Sequence, residues 1–189
     1  MARKVALAVA VLTGALLSAC AAPGDYRPEL LYPEKVYEAY TLGPGDRLRV
    51  IVFGQDALSN AYTVDGVGRI SMPLIGSVSV QGLHASAIER LIAARLRNGY
   101  IRDPHVAVEV EAFRPFFILG EVVNAGQYPF VDSMTVRTAI AIAGGFSPRG
   151  FDGGADLTRV IDGCPVTGRV PLDYPVRPGD TVTVLERIF

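Results

Sequence analysis

The sequence predicts an α+β protein built as two small modules in series, each a set of short strands around one helix. Three observations carry this reading. Apolar and polar residues alternate in short runs such as "RLRVIV" and "VAVEVEA", and a period of two marks a strand with one buried face. Two stretches, "HASAIERLIAARLRNGY" and "DSMTVRTAIAIAGG", read instead as helices with glycine stops. The tripeptide Pro-Gly-Asp occurs twice, at Pro44, Gly45, Asp46 and at Pro178, Gly179, Asp180, each time directly before an alternating run. Proline presets the first central φ of a type II turn and glycine accepts the positive second one. Each copy is therefore a tight turn that launches a strand.

The bulk numbers are those of an ordinary globular chain. Half of the 189 residues are hydrophobic, a fifth are charged, and the formal net charge is −1. No Lys/Arg run supplies the basic footprint that nucleic acid requires.

The chain opens with "MARKVALAVAVLTGALLSAC". Basic residues, an apolar run and small residues in that order predict a secretory signal peptide over residues 1–19. The run from Val5 to Ala19 is shorter than the roughly 18–20 residues of a spanning helix. Leu17, Ser18, Ala19 and Cys20 resemble the bacterial lipobox, which implies a lipid on the Cys20 thiol. Ala21, where aspartate would imply inner-membrane retention, points to the outer membrane. An acylated Cys20 leaves Cys164, in the turn-like "IDGCPV", without an intramolecular partner; a buried, inert thiol and no disulfide framework are expected. Residues 20–40 contain Pro23, Pro28 and Pro33 with no sustained period, and read as a lipidated tether.

The first module follows over residues 41–112. Strands are predicted at 47–53, 61–65, 68–72 and 76–80. In the helix after them, Ser86 and Glu89 have the spacing of a capping box. Ile88, Leu91, Ile92 and Leu96 share one face, and Asn98-Gly99 ends it. Beyond Pro104, Val106, Val108, Val110 and Ala112 alternate with His105, Glu109 and Glu111. The second module covers 113–189, with a boundary near Phe113–Pro115. "FFILGEVVNAGQYPF" reads as strand, turn, strand. The helix after it has Asp132 or Ser133 as cap and Gly144-Gly145 as stop. "ADLTRVID" and "GRVPLD" are short strands, and the second Pro-Gly-Asp launches the last. A helix laid across such a mixed sheet is a β-grasp arrangement.

Catalytic signatures are missing. There is no phosphate-binding loop, and "GGFSPRG" lacks the spacing of a nucleophile elbow. His84 and His105 belong to no zinc-binding pattern. No catalytic residue, cofactor or metal site is predicted, and the protein reads as a non-enzyme.

Over residues 41–189 the chain resembles the bacterial polysaccharide export proteins. The likeness runs through Gly43-Pro44-Gly45-Asp46, Val64-Asp65, Gly68, Ile70, Pro73-Leu74-Ile75-Gly76 and Gly82, then Pro104 and Val106. The hairpin "GEVVNAGQY" is similar to the Gly-x-Val-x-x-Pro-Gly-x-Tyr of that family's soluble-ligand-binding β-grasp (SLBB) domain. Gly120, Val122, Gly126 and Tyr128 match, while Ala125 stands where proline is usual. The resemblance implies an outer-membrane lipoprotein facing the periplasm. It would form a ring-shaped homo-oligomer and guide a capsular or extracellular polysaccharide, acting with an inner-membrane copolymerase. Only nine residues follow Asp180, so no pore helix of its own is expected and a separate outer-membrane channel would complete the path. Arg47, Arg49, Arg69 and Arg114 are candidates to face an acidic glycan, though solvated strand faces explain them equally well. Both Pro-Gly-Asp turns are expected to open strands at an edge of their modules and to be structural. The alternative function is an envelope lipoprotein that binds a small soluble ligand or glycan through the β-grasp module, without transport.

Overall fold

The computed structural model describes residues 40–161 and 163–187. The predicted signal peptide, Cys20 and most of the tether lie outside the described residues. Two separate hydrophobic cores form within the chain, one on each side of residues 113–115.

In the first, strand β1 (Arg47–Val52) is central to an antiparallel sheet, flanked by β2 (Asn60–Thr63) and β5 (Val106–Ala112). A second hairpin, β3 (Arg69–Met72) and β4 (Gly76–Ser79), packs beside it. The alternation seen in sequence is the alternation of burial. Leu48, Val50 and Val52 point inward, onto Ile88, Ile92 and Leu96 of α1 (Ala85–Arg97). The Ser86–Glu89 capping box does not form. The helix starts at Ala85 with His84 as cap, and Glu89 accepts a hydrogen bond from the Val108 N–H of β5 at 3.0 Å. Its carboxylate is spent on the neighbouring strand rather than on the helix end. The stop is where the sequence puts it, with Asn98 as cap.

The second core lies under a five-stranded sheet of order β7-β6-β10-β8-β9. Its strands are β6 (Phe116–Gly120), β7 (Gly126–Tyr128), β8 (Ala155–Ile161), β9 (Cys164–Val170) and β10 (Thr181–Val184). Strands β6 and β10 run parallel and every other pair is antiparallel. Helix α2 (Val136–Ile142) buries Val136, Ala139 and Ile140 in one cluster with Phe116, Ile118, Leu157 and Val182. This is the mixed-sheet α+β unit the sequence predicts. The helix cap differs, however. Thr135 and Thr138 make the reciprocal capping box, Thr138 N–H to Thr135 Oγ1 at 3.3 Å and Thr135 N–H to Thr138 Oγ1 at 2.8 Å. Asp132 and Ser133 form the preceding turn instead, where Ser133 has φ 62°.

Three further sequence expectations are corrected. Strand β9 begins four residues earlier than "GRVPLD", since Cys164 already pairs with Ile161; Gly163, at φ 80°, is the turn residue directly before it. Cys164 is half-buried and takes part in a disulfide, rather than being an inert thiol. The strands launched by the two Pro-Gly-Asp turns, β1 and β10, are central in their sheets and not at an edge. Tyr128–Pro129 is trans, as is every described peptide bond.

Candidate functional site

The two Pro-Gly-Asp turns are built alike to the level of single hydrogen bonds. In each, the aspartate N–H donates to the carbonyl three residues back, Gly43 at 3.2 Å and Arg177 at 3.1 Å. In each, one carboxylate oxygen accepts that same residue's N–H, Gly43 at 2.8 Å and Arg177 at 2.7 Å. Gly45 and Gly179 sit at φ 91° and 87°, the left-handed region that only glycine enters without strain. Both aspartates are buried, Asp46 at 0% and Asp180 at 1% exposure.

A buried carboxylate needs a cation and a full set of donors, and each one has them. Arg159 grips Asp180 with Nε at 3.0 Å and Nη2 at 2.7 Å, the two-pronged geometry in which charge-assisted bonds are strongest. The same guanidinium donates to Tyr174 Oη and the Pro175 carbonyl, and stands over the Tyr174 ring. Burial pushes the Arg159 pKa down, but the hydrogen bond and charge of Asp180 outweigh it and the net shift is upward. Asp46 is held by Arg114, from the segment that joins the two cores. The Arg114 N–H donates to Oδ1 at 2.8 Å and Nη1 to Oδ2 at 3.2 Å. Tyr40 donates its hydroxyl to Asp46 Oδ2 at 2.5 Å and accepts from Arg114 Nη1 at 3.0 Å. Burial first, and then the hydrogen bond to Asp46, drives the Tyr40 pKa well above its ordinary value, so the phenol stays protonated and remains a donor.

The two turns meet at Arg114. The Gly179 N–H donates to the Pro115 carbonyl at 3.0 Å. A Cβ on Gly179 would fall 2.7 Å from Arg114 Nε, and one on Gly43 would fall 2.5 Å from Nη1. Glycine at these two positions lets the backbone close on both sides of one guanidinium. Beside this hub opens a cleft of about 560 Å³, lined from both halves of the chain by Tyr40, Phe113, Arg114, Phe130, Asp132 and Arg177 among others. Phe113 packs edge-on against Tyr40 and Phe130, with centroids 4.9 and 5.4 Å apart.

The other residues singled out in the sequence lie elsewhere. Gly120 ends β6 at φ 83°, against the carbonyl of Val184, and Gly126 opens β7. Arg47 pairs with Glu111 on the exposed sheet face, while Arg49 and Arg69 point to solvent, so only Arg114 of the four reaches the cleft. His84 holds the Tyr40 carbonyl through Nδ1 at 2.8 Å, and His105 is exposed beside Asp103. Among the described residues, no three His, Cys, Asp or Glu side chains are grouped to hold a metal. Tyr40, Tyr174 and Arg159 were not singled out from the sequence. A signal for the tyrosines is present, because "YTLGPGD" and "YPVRPGD" place tyrosine six residues before each aspartate and a buried Leu42 or Val176 between.

Comparison with known families decides the lineage. Residues 34–111 match the family described as polysaccharide biosynthesis/export protein, and residues 115–170 match the SLBB domain. The chain joins a polysaccharide biosynthesis/export domain to an SLBB domain. Its two family matches meet at the segment that carries Arg114. The second ends at the last residue of β9, whereas the sheet of this chain is completed by β10 and its Pro-Gly-Asp turn. Two relatives are similar. The exopolysaccharide production protein ExoF of Rhizobium meliloti (strain 1021) is 31% identical over 134 residues, 65% of this chain and 31% of that protein. The polysialic acid transport protein KpsD of Escherichia coli is 30% identical over 111 residues, 58% of this chain and 20% of that protein. This chain therefore spans less than a third of the length of either. The names are those of a production and a transport protein. None of its described helices is long and apolar enough to cross a membrane, which says nothing of strands.

Proposed function

We propose that this chain is a lipid-anchored, periplasm-facing subunit of a ring-shaped homo-oligomer at the outer membrane. In this reading it guides capsular or extracellular polysaccharide outward, between an inner-membrane copolymerase and an outer-membrane channel, and catalyses nothing. The observation that carries it is the fastening of an export module to a β-grasp module through one shared arginine, with both turns closed on it. A subunit of a conduit must keep a fixed angle between its parts without doing chemistry, and a junction whose buried carboxylates are both paired supplies that.

The deciding experiment measures polymer outside the cell and in the periplasm, in a strain lacking the gene and in one complemented with it. Loss of the extracellular polymer with recovery on complementation is expected. Unchanged secretion in a strain with no second exporter refutes it. The cleft favours one other reading, an envelope lipoprotein that captures a small ligand or glycan with no transport role, and that reading gains from the same negative result.

The anchor is tested separately. A diacylglyceryl thioether uses the Cys20 sulfur, and the sequence contains only Cys20 and Cys164. Acylation at Cys20 and an intrachain disulfide at Cys164 therefore exclude each other. Radiolabelled acyl chains should appear on the membrane-extracted protein and vanish in Cys20→Ala; label that persists in the variant ends the anchoring proposal.

A further inference from the structure

The cleft beside Arg114 has a composition that the junction itself does not need. Asp46 and Asp180 are already matched by Arg114 and Arg159. Arg177 is a third guanidinium on the cleft wall, half-buried, and its side chain meets no hydrogen-bond or ion-pair partner among the described residues. Only its backbone is used, its N–H and its carbonyl both by Asp180. Arg114 spends its Nη1 on Asp46 and Tyr40, and its Nε and Nη2 likewise have no partner among the described residues. A guanidinium carries five N–H donors in a planar fork. Two such groups with unspent donors therefore line one concave space. The rings of Phe113 and Phe130, both half-buried, line the same space. The wall also contains Asp132 and Ser133, both exposed at the rim, where water screens the one unmatched carboxylate.

We propose that this cleft binds a carboxylate-bearing saccharide unit, with the sugar's carboxylate on Arg177 and Arg114 and its C–H face on Phe113 and Phe130. That the ligand is a sugar rests on the polysaccharide reading above; that it is acidic follows from the cleft's own donors. Half-burial is what makes the carboxylate contact worth forming, because a charge-assisted bond weakens in open water. Ring hydroxyls find acceptor and donor partners in Asp132 and Ser133. A volume of about 560 Å³ lies within the range of small-ligand sites and exceeds one sugar ring. One acidic residue of a longer chain would thus be held while its neighbours extend past the rim.

The test titrates the mature protein with a short oligoglucuronate, with the neutral oligoglucose of the same linkage, and with inorganic phosphate, by calorimetry or NMR. Binding of the oligoglucuronate and not of its neutral counterpart is expected. Arg177→Gln should weaken it roughly tenfold or more, the loss of one or two charge-assisted bonds, and Arg177→Lys should restore part. The exposed Arg49→Gln should change nothing. Thermal melting of Arg177→Gln should match the parent, since the backbone N–H that Asp180 uses is retained. Equal affinity for acidic and neutral sugars, no binding, or an unaltered Arg177→Gln overturns the proposal. So does displacement by phosphate but not by free glucuronate. The gene-deletion assay separates this from the export reading. Loss of export together with absent acidic-sugar binding removes the cleft proposal alone, and intact export with Arg177-dependent binding removes the export reading alone.

Discussion

Asp46→Asn is the sharpest perturbation of the junction, because it changes charge and hydrogen-bond polarity at almost constant volume. The native carboxylate accepts from four donors: Gly43 N, Arg114 N, Tyr40 Oη and Arg114 Nη1, at 2.5–3.2 Å. An amide keeps one acceptor oxygen and turns an NH2 toward donors that it cannot accept from. Abandoning one partner of a buried pair costs about 3–5 kcal/mol. The Arg114 side chain is 30% exposed, so water recovers part of its solvation and the lower end, about 3 kcal/mol, applies. For a chain of this size that is a fall in Tm of roughly 6–12 °C. The exposed Arg47–Glu111 pair, at 54% and 38% exposure, is the control, and Arg47→Ala should cost below about 1 kcal/mol. Urea titration followed by far-UV circular dichroism and by tyrosine fluorescence reads both. If Asp46→Asn lies as close to wild type as Arg47→Ala, the junction is not held by its buried charge and the reasoning fails. Coincidence of the two probes in wild type, with their separation in the variant, would further show that Asp46 couples the two halves.

Three other outcomes are expected. Gly120→Ala drives a Cβ into the Val184 carbonyl oxygen at a φ of 83°, so it should cost more than about 3 kcal/mol or prevent folding, whereas Gly76→Ala, at φ 66° with open space around it, should cost only about 1–2 kcal/mol; chemical denaturation ranks them. Leu74 is an exposed leucine at φ 67°, centred in a tight turn where the Ile75 N–H donates to the Pro73 carbonyl at 2.8 Å, and Leu74→Gly should raise stability by up to about 1 kcal/mol in the same denaturation series. The Tyr40 hydroxyl, raised by burial and then by Asp46, contributes stability that is complete below about pH 10 and is lost as the pH climbs toward its folded value, because the unfolded phenol ionises first; stability measured from about pH 8 to 11.5 should fall less steeply above pH 10 in Tyr40→Phe than in wild type.

What the sequence disclosed, and what it did not, divides by range. Strands with one buried face were legible because burial imposes its period directly, as Leu48, Val50 and Val52 demonstrate. Turns were legible because proline and glycine state their own φ. Helix starts were not. Glu89 fits a capping box by spacing but is drawn 19 residues away to Val108, and Thr135, with Thr138 as its partner, caps α2. The cleft was hardest to see. Arg114 stands 68 residues after Asp46, and Arg159 stands 21 residues before Asp180. No fixed spacing announces the pair, so the two carboxylates read as ordinary turn residues, Arg114 as a glycan-facing or solvated strand residue, and Arg159 carries no signal.

That asymmetry explains why the turn recurs while its surroundings do not. A central strand has to begin at full burial, and an aspartate closing its own turn hides the N–H three residues back that would otherwise be orphaned. The arrangement is local, so a stretch as short as "YTLGPGD" or "YPVRPGD" suffices to write it twice. The charge it buries is not local and must be matched by whatever cation the topology brings near. In the second module this is Arg159, on the neighbouring strand β8, and the matter ends within one sheet. In the first it is Arg114, beyond β5, on the segment that leads into the other module. The residue that neutralises the first turn is therefore also the residue on which the second turn rests. Bending the junction would pull Arg114 off Asp46 or off Gly179, and either movement exposes a buried group without a partner. No buried side-chain nitrogen or oxygen among the described residues is left unsatisfied in the closed arrangement. A hinge needs two states of similar energy, and leaving this arrangement breaks a buried pairing. That is the mechanical property the proposed conduit subunit requires.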